Sequence, residues 1–155
     1  MIRKATLRDL SSIQNLYTIL FERMAELEPN YMQKANQDEA FVTLAIRGED
    51  NFTVFVIEDE GGIQGFALTQ LQQSPPYNAF VQQSCMYLLD LVVHPSTRGK
   101  GYGKALIQRV KNWGIEKEAA YFELTVLTQN TQAIQLYERE GLRPFSQSMR
   151  MRLEE

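Results

Sequence analysis

Residues 96 to 106 read STRGKGYGKAL, with Gly99, Gly101 and Gly103 inside five positions and Arg98, Lys100 and Lys104 around them. Each such glycine costs a helix about 1 kcal/mol relative to alanine. A run this dense belongs to backbone that must approach something closely. Before it lies an apolar run, Met86 to Val93 (MYLLDLVV), and after it Tyr102, Ala105, Leu106, Val110 and Trp113 recur at helical spacing. A strand, a glycine-rich turn and a helix start leave several N–H groups without intrahelical partners, at the positive end of the helix dipole. The chemistry this arrangement suits is anion binding, with a phosphate or pyrophosphate the natural ligand. Hydrogen bonds to a charged acceptor contribute about 1.5–3 kcal/mol each, and the three basic side chains add charge.

Two common phosphate cradles fail on spacing. The dinucleotide fingerprint is G-x-G-x-x-G early in a βαβ unit, whereas this run is G-x-G-x-G late in the chain. The P-loop needs G-x-x-x-x-G-K-S/T; Gly103 and Lys104 fit its end, but Arg98 stands where its first glycine should be and Ala105 where its hydroxyl should be. A glycine-rich helix entry with no ligand is the plainer alternative.

Asp90 is the one carboxylate in the Met86–Val93 run. Burying it without a partner or a role would be costly. It is read either as a proton acceptor or as a structural group bonded to nearby backbone. Strict alternation puts Tyr87, Leu89 and Leu91 on the face opposite Asp90, and a bulge would change which of them meets a substrate. One cysteine, Cys85, excludes an intramolecular disulfide and fits a buried apolar position in a reducing compartment. With one histidine, His94, the chain cannot build a typical structural zinc site, and no metal is expected.

The elements that would position these residues follow from periodicity. Ile2 to Ala5 reads as a strand. Leu10, Ile13, Leu16, Tyr17, Leu20 and Met24 give a helix over Leu7 to about Met24. Ala25 to Lys34 contains Pro29 and is a loop, and a second helix covers about Gln37 to Arg47. Asn51 to Glu58 and Ile63 to Leu71 are strands joined by the turn Asp59 to Gly62 (DEGG). Gln72 to Asn78 is a loop set by two prolines. Met86 to Val93 is apolar on both faces, as a central strand requires. The helix after the glycines leads to a strand over Tyr121 to Leu127, a helix over Asn130 to Glu140 stopped by Gly141, and a final strand over Arg143 to Arg152. The whole reads as one mixed α/β domain over residues 1–155, with about four helices flanking a central sheet and hairpins preceding a strand–helix–strand–helix unit.

The composition agrees. The 155 residues are 44% hydrophobic and 23% charged, with 19 acidic against 16 basic residues and a net charge of −3. This is not the basic excess of a nucleic-acid binder. The N-terminus MIRKATLRDL is charged at once, and no run approaches the roughly 20 apolar residues of a membrane span. A cytoplasmic protein is expected, with no membrane partner.

Leu91 to Ile107 (LVVHPSTRGKGYGKALI) resembles the acetyl-coenzyme A signature of the GNAT superfamily of N-acetyltransferases, Q/R-x-x-G-x-G/A after a strand, with Arg98, Gly101 and Gly103 in register. Asn130 to Pro144 (NTQAIQLYEREGLRP) is similar to the family's C-terminal signature, an asparagine, a helix carrying a tyrosine, and a glycine. The order of elements agrees over nearly the whole chain.

The resemblance implies a mostly antiparallel twisted sheet in which a parallel pair of strands splays apart. The pantetheine arm of acetyl-CoA would enter the splay and pair with the backbone of Leu91, Val92 and Val93, chiefly Leu91 and Val93. The pyrophosphate would fall on Arg98, Gly99, Lys100, Gly101, Tyr102, Gly103 and Lys104, and Asn130 and Ala133 would lie near the cofactor, although Asn130 also reads as a simple N-cap. The reaction is attack of an amine on a thioester. Tyr137 matches the family's general acid; read without the family it is a packed helix aromatic. Asp90 is the first candidate for the base, with Glu123 on the partner strand or a water as alternatives. The acceptor site would lie among the first two helices and the proline loop, where Glu22, Glu26, Glu28, Tyr31 and Tyr77 suit a cationic primary amine or a peptide amine through charge and cation–π attraction. A homodimer is expected by the same resemblance. A non-catalytic acyl-CoA sensor is the competing function, since a sensor need not keep Tyr137.

Overall fold

The computed structural model describes residues 1–154. Five strands form one sheet in the order β1 (Ile2–Lys4), β2 (Phe52–Asp59), β3 (Gly62–Gln73), β4 (Ser84–Val93) and β5 (Tyr121–Leu124). The first four are antiparallel neighbours, and β4 and β5 run parallel. Helices α1 (Leu10–Leu27) and α2 (Glu39–Ile46) cover one face. Helix α3 (Tyr102–Glu116) covers the other, followed in the chain by β5 and α4 (Thr131–Arg139). This is the mixed α/β fold expected, with four helices and a mostly antiparallel sheet ending in a parallel pair.

Alternation along each strand feeds two cores. In β2, Val54 and Val56 face α1 and α2, while Phe55 and Ile57 face α3. The apolar stripe of α1 buries Ile13, Leu16 and Tyr17 against Phe66 and Val92 of the sheet. Its entry is fixed by Asp9, whose carboxylate accepts from the Thr6 amide (2.8 Å) and from both Arg3 nitrogens (2.7 and 3.0 Å).

The pairing of β3 with β4 contains one irregularity. Leu68 faces Asp90 but Thr69 faces Leu88, so Leu89 has no partner and forms a β-bulge. Below it Met86 and Leu88 point to the α3 core; above it Leu91 and Val93 do so. Leu89 packs on the α1 side, and Asp90 turns to the same side. The bulge therefore reverses the parity of β4 and delivers Asp90 to α1 rather than into the apolar layer under α3.

The structure corrects three expectations. The loop expected from Ala25 begins later, because α1 runs on to Leu27 and stops just before Pro29. The strand expected over Tyr121 to Leu127 stops at Leu124. The strand expected over Arg143 to Arg152 does not form: residues 143–154 carry no regular secondary structure and are exposed. The alternation there is real, but an extended segment becomes a strand only when an edge pairs with it.

Candidate active site

The parallel ladder runs from Cys85↔Tyr121 to Leu88↔Leu124 and ends there, while β4 continues to Val93. The two strands thus part at the bulge. The His94 amide donates to Gln64 O of the β3 side at 2.7 Å. By alternation Val92 and Asp90 also aim their backbone at β3, and Leu91 and Val93 aim theirs at the edge that β5 has left. Tyr87 and Thr125 share a 2.7 Å hydrogen bond between their hydroxyls at the fork.

After β4 the chain makes a single helical turn, Pro95–Thr97, closed by Thr97 Oγ1 donating to His94 O at 2.8 Å. Gly99 and Gly101 follow at φ +86° and +78°, the left-handed region that side chains resist. Gly101 is the N-cap of α3 and has no side chain with which to cap that end. The first helical bond is Ala105 N–H to Gly101 O (3.0 Å), so the amides of Tyr102, Gly103 and Lys104 have no intrahelical acceptor. Gly103 serves differently: a Cβ there would lie 3.2 Å from Leu136 Cδ2, so its bareness lets α3 and α4 approach.

Asp59 anchors this loop from the β2–β3 turn. Its carboxylate accepts from Tyr102 Oη (2.8 Å), Gln64 Nε2 (3.0 Å) and the Gly61 amide (2.8 Å). The Tyr102 hydroxyl, then Gln64, hold it below the usual carboxylate range. The DEGG turn in the sequence shows a hairpin and gives no sign that Asp59 also holds the start of α3.

Asp90 has one tyrosine bonded to it and a second within reach of its charge. Tyr17, fully buried on α1, donates its hydroxyl to Asp90 Oδ2 at 2.6 Å. Burial raises the Asp90 pKa and the Tyr17 bond opposes the rise. Tyr137, half-buried on α4, is pushed up to about 12 by burial and then by the negative charge of Asp90. It is therefore protonated at neutral pH. Asn130 caps α4, its Oδ1 accepting from the Ala133 amide at 3.2 Å. Tyr17 was hidden in the sequence by its helical spacing with Ile13 and Leu16; the only hint was an aromatic with a polar tip on an otherwise apolar face.

Other candidates stand apart from this group. Glu123 is in register with Tyr87, and its charge acts on Cys85 and Tyr121, raising both thiol and phenol behind the larger effect of burial. Glu22 pairs with Lys34 at 3.5 Å and Glu26 with Arg23 at 3.4 Å, all four exposed. The Tyr31 ring lies 4.7 Å from the Arg150 guanidinium. Tyr77, 67% exposed, stacks loosely on Phe80 in the β3–β4 loop. No helix among the described residues is long and apolar enough to cross a membrane.

Comparison with known proteins adds the family. A 63-residue stretch is 35% identical to the thialysine N-epsilon-acetyltransferase of Sus scrofa, covering 41% of this chain and 37% of that protein. The chain thus spans a little over a third of the length of this curated relative. The solved structure of a four-site mutant of the BH1408 protein from Bacillus halodurans matches with TM-score 0.92 at 26% identity, over 99% of both chains. AAC(6')-Iy bound to the bisubstrate analogue CoA-S-monomethyl-acetylneamine shares the fold, with TM-score 0.73 at 20% identity over 99% of this chain and 97% of that one. The model of the acetyltransferase (GNAT) family matches residues 13–142, from the first helix through the glycine after α4. With the parted strands, the glycine turn and the capped tyrosine helix all inside that span, the chain belongs to the GNAT acetyltransferase family.

Proposed function

We propose that the protein is an acetyl-CoA-dependent N-acetyltransferase that moves an acetyl group to a primary amine by direct attack on the thioester. One observation carries this reading: the unpaired edge at Leu91 and Val93, the open amides at the start of α3, and the Asp90 and Tyr137 side chains all lie at the end of β4. The family membership and the relative named for amine acetylation support it.

The residues fit acetyl-CoA. Leu91 and Val93, with Val92 between them, would pair with the amide-bearing pantetheine arm as with an added strand. The amides of Gly99, Gly101, Tyr102, Gly103 and Lys104 would take the pyrophosphate, helped by Arg98 and Lys100. Asn130 and Ala133, at the capped start of α4, would lie near the cofactor. Acetyl-CoA supplies the activated acetyl group. An alkylammonium with pKa about 10.4 must first give one proton to solvent. Asp90 then takes the proton that nitrogen sheds as the C–N bond forms. Tyr137 Oη gives its proton to sulfur as the C–S bond breaks, and Asp90 returns the proton to Tyr137. One proton leaves per ammonium consumed.

The acceptor is a small cationic amine or a peptide amine. A cleft of about 340 Å³ lies along α1, lined by Thr18, Glu22, Lys34, Ala35 and Asn36. Glu22, Glu26 and Tyr31 each already hold a cation of their own chain, and a cationic acceptor would exchange for it. Thiol release from acetyl-CoA across a panel of primary amines tests the reading. Amine-dependent release supports the enzyme; tight acetyl-CoA binding without it would make the protein a sensor.

The protein also works as a homodimer in this reading. Phe145, Met149, Met151 and Leu153 are 81–94% exposed along the tail, and exposed large apolar side chains of this kind suit an interface between copies. Sedimentation of the whole protein at micromolar concentration should give twice the chain mass.

A further inference from the structure

Asp90 is held by a residue that no sequence motif marks. The Tyr17 hydroxyl lies 2.6 Å from Asp90 Oδ2, 73 positions away in the chain. The Leu89 bulge turns Asp90 towards α1, where that hydroxyl waits. Oδ1 has no hydrogen-bond partner among the described residues, and no buried side-chain oxygen there lacks one, so Oδ1 is the carboxylate oxygen that solvent or a substrate can reach. The ring of Tyr17 is locked between Phe21 and Phe66, with centroids 5.5 and 4.8 Å away, so the hydroxyl has little freedom to follow a moving carboxylate.

We propose that Tyr17 is the positioning residue for Asp90: it pins Oδ2 and leaves Oδ1 as the single oxygen that accepts the proton from the amine. The proposal rests on the base role of Asp90 in the reading above. Two further roles follow from the geometry. Tyr17 fixes the carboxyl's rotation, which a carboxylate at the end of a bulged strand would otherwise lack. It also stabilises the ionised carboxylate against its burial. The groups facing Asp90 are Tyr17 from α1, Tyr137 from α4 and the apolar Leu68 from β3; the Gln37 side chain, from the loop before α2, faces the Tyr17 hydroxyl. No lysine or arginine among the described residues forms an ion pair with Asp90, so the Tyr17 bond is what favours its charged form.

The test is Tyr17→Phe, which keeps the ring and removes the bond. Carbon-13 NMR of aspartate-labelled protein, with Asp90 assigned by Asp90→Asn, follows the carboxyl without any ligand. The expected result is an upward shift of the Asp90 titration by about one to two pH units. The acidic limb of kcat/KM should move up with it, with the KM for acetyl-CoA unchanged. A titration and limb that stay in place would overturn the proposal, even if kcat falls uniformly at every pH as lost packing would cause. Where Tyr17→Phe fails to fold, a fluorinated tyrosine placed at position 17, a stronger donor of the same shape, should move the titration down; no movement counts against the proposal. If Asp90→Asn keeps full activity, the base reading fails, and the NMR shift alone still decides whether Tyr17 holds the carboxylate.

Discussion

Tyr102 Oη lies 2.8 Å from Asp59 Oδ2, tying the first residue of α3 to the turn between β2 and β3. The bond crosses 43 positions of sequence and fixes the open end of the helix against the sheet. Removing it with Tyr102→Phe should raise the KM for acetyl-CoA by about three- to ten-fold and leave kcat near its original value. Steady-state kinetics with the acetyl donor varied at saturating amine checks this; a loss in kcat alone would contradict it.

Tyr137→Phe removes the proton donor and keeps the ring. The expected fall in kcat is about 100-fold, with acetyl-CoA affinity by calorimetry nearly unchanged. Because burial and Asp90 push the Tyr137 pKa up to about 12, the wild-type profile should show no basic limb from this residue below pH 10. Equal loss of turnover and binding would make the tyrosine structural.

Gly101 and Gly103 should respond differently to alanine. At Gly101 a Cβ meets nothing within 4 Å, but φ is +78°, so Gly101→Ala should cost about 1 kcal/mol of stability through backbone strain. At Gly103 the backbone is helical and the Cβ would sit 3.2 Å from Leu136 Cδ2, next to Tyr137. Gly103→Ala should therefore cost less in melting temperature than Gly101→Ala and more in kcat, since it pushes α4. Thermal melts and kinetics on the two variants separate the effects.

Asp9 sits buried under Arg3, whose guanidinium holds its carboxyl below the usual range, aided by the Thr6 amide. A depressed folded-state pKa contributes stability above the unfolded pKa of about 3.9, lost as pH falls through the folded value. Asp9→Asn should destabilise the protein by about 2 kcal/mol at pH 7, and the difference from wild type should shrink below pH 4. Urea melts at pH 7 and pH 3 test the sign.

Much of this architecture is legible in the sequence, and the illegible parts share a cause. The α1 stripe, the hairpin at Asp59–Gly62 and the glycine turn announce themselves because their signals are local. The bulge does not, because MYLLDLVV is apolar on both faces and carries no parity to lose. Tyr17 does not either: its partner lies in another element, and its spacing says only that it is inside. The tail misleads in the opposite way. Its alternating pattern is that of a strand, but pairing depends on an edge elsewhere, and residues 143–154 find none among the described residues.

The register on the two sides of Leu89 has a further consequence. Thr69 opposes Leu88 and Leu68 opposes Asp90, so a chain lacking Leu89 would keep every other cross-strand pair and send every other side chain to the same layer. The topology does not need this residue. What it adds is a bend, at the position where β4 parts from β5. Leu89 is thus a spacer that the fold can spare and the gap cannot: its deletion should preserve a folded sheet while letting the parted strands close.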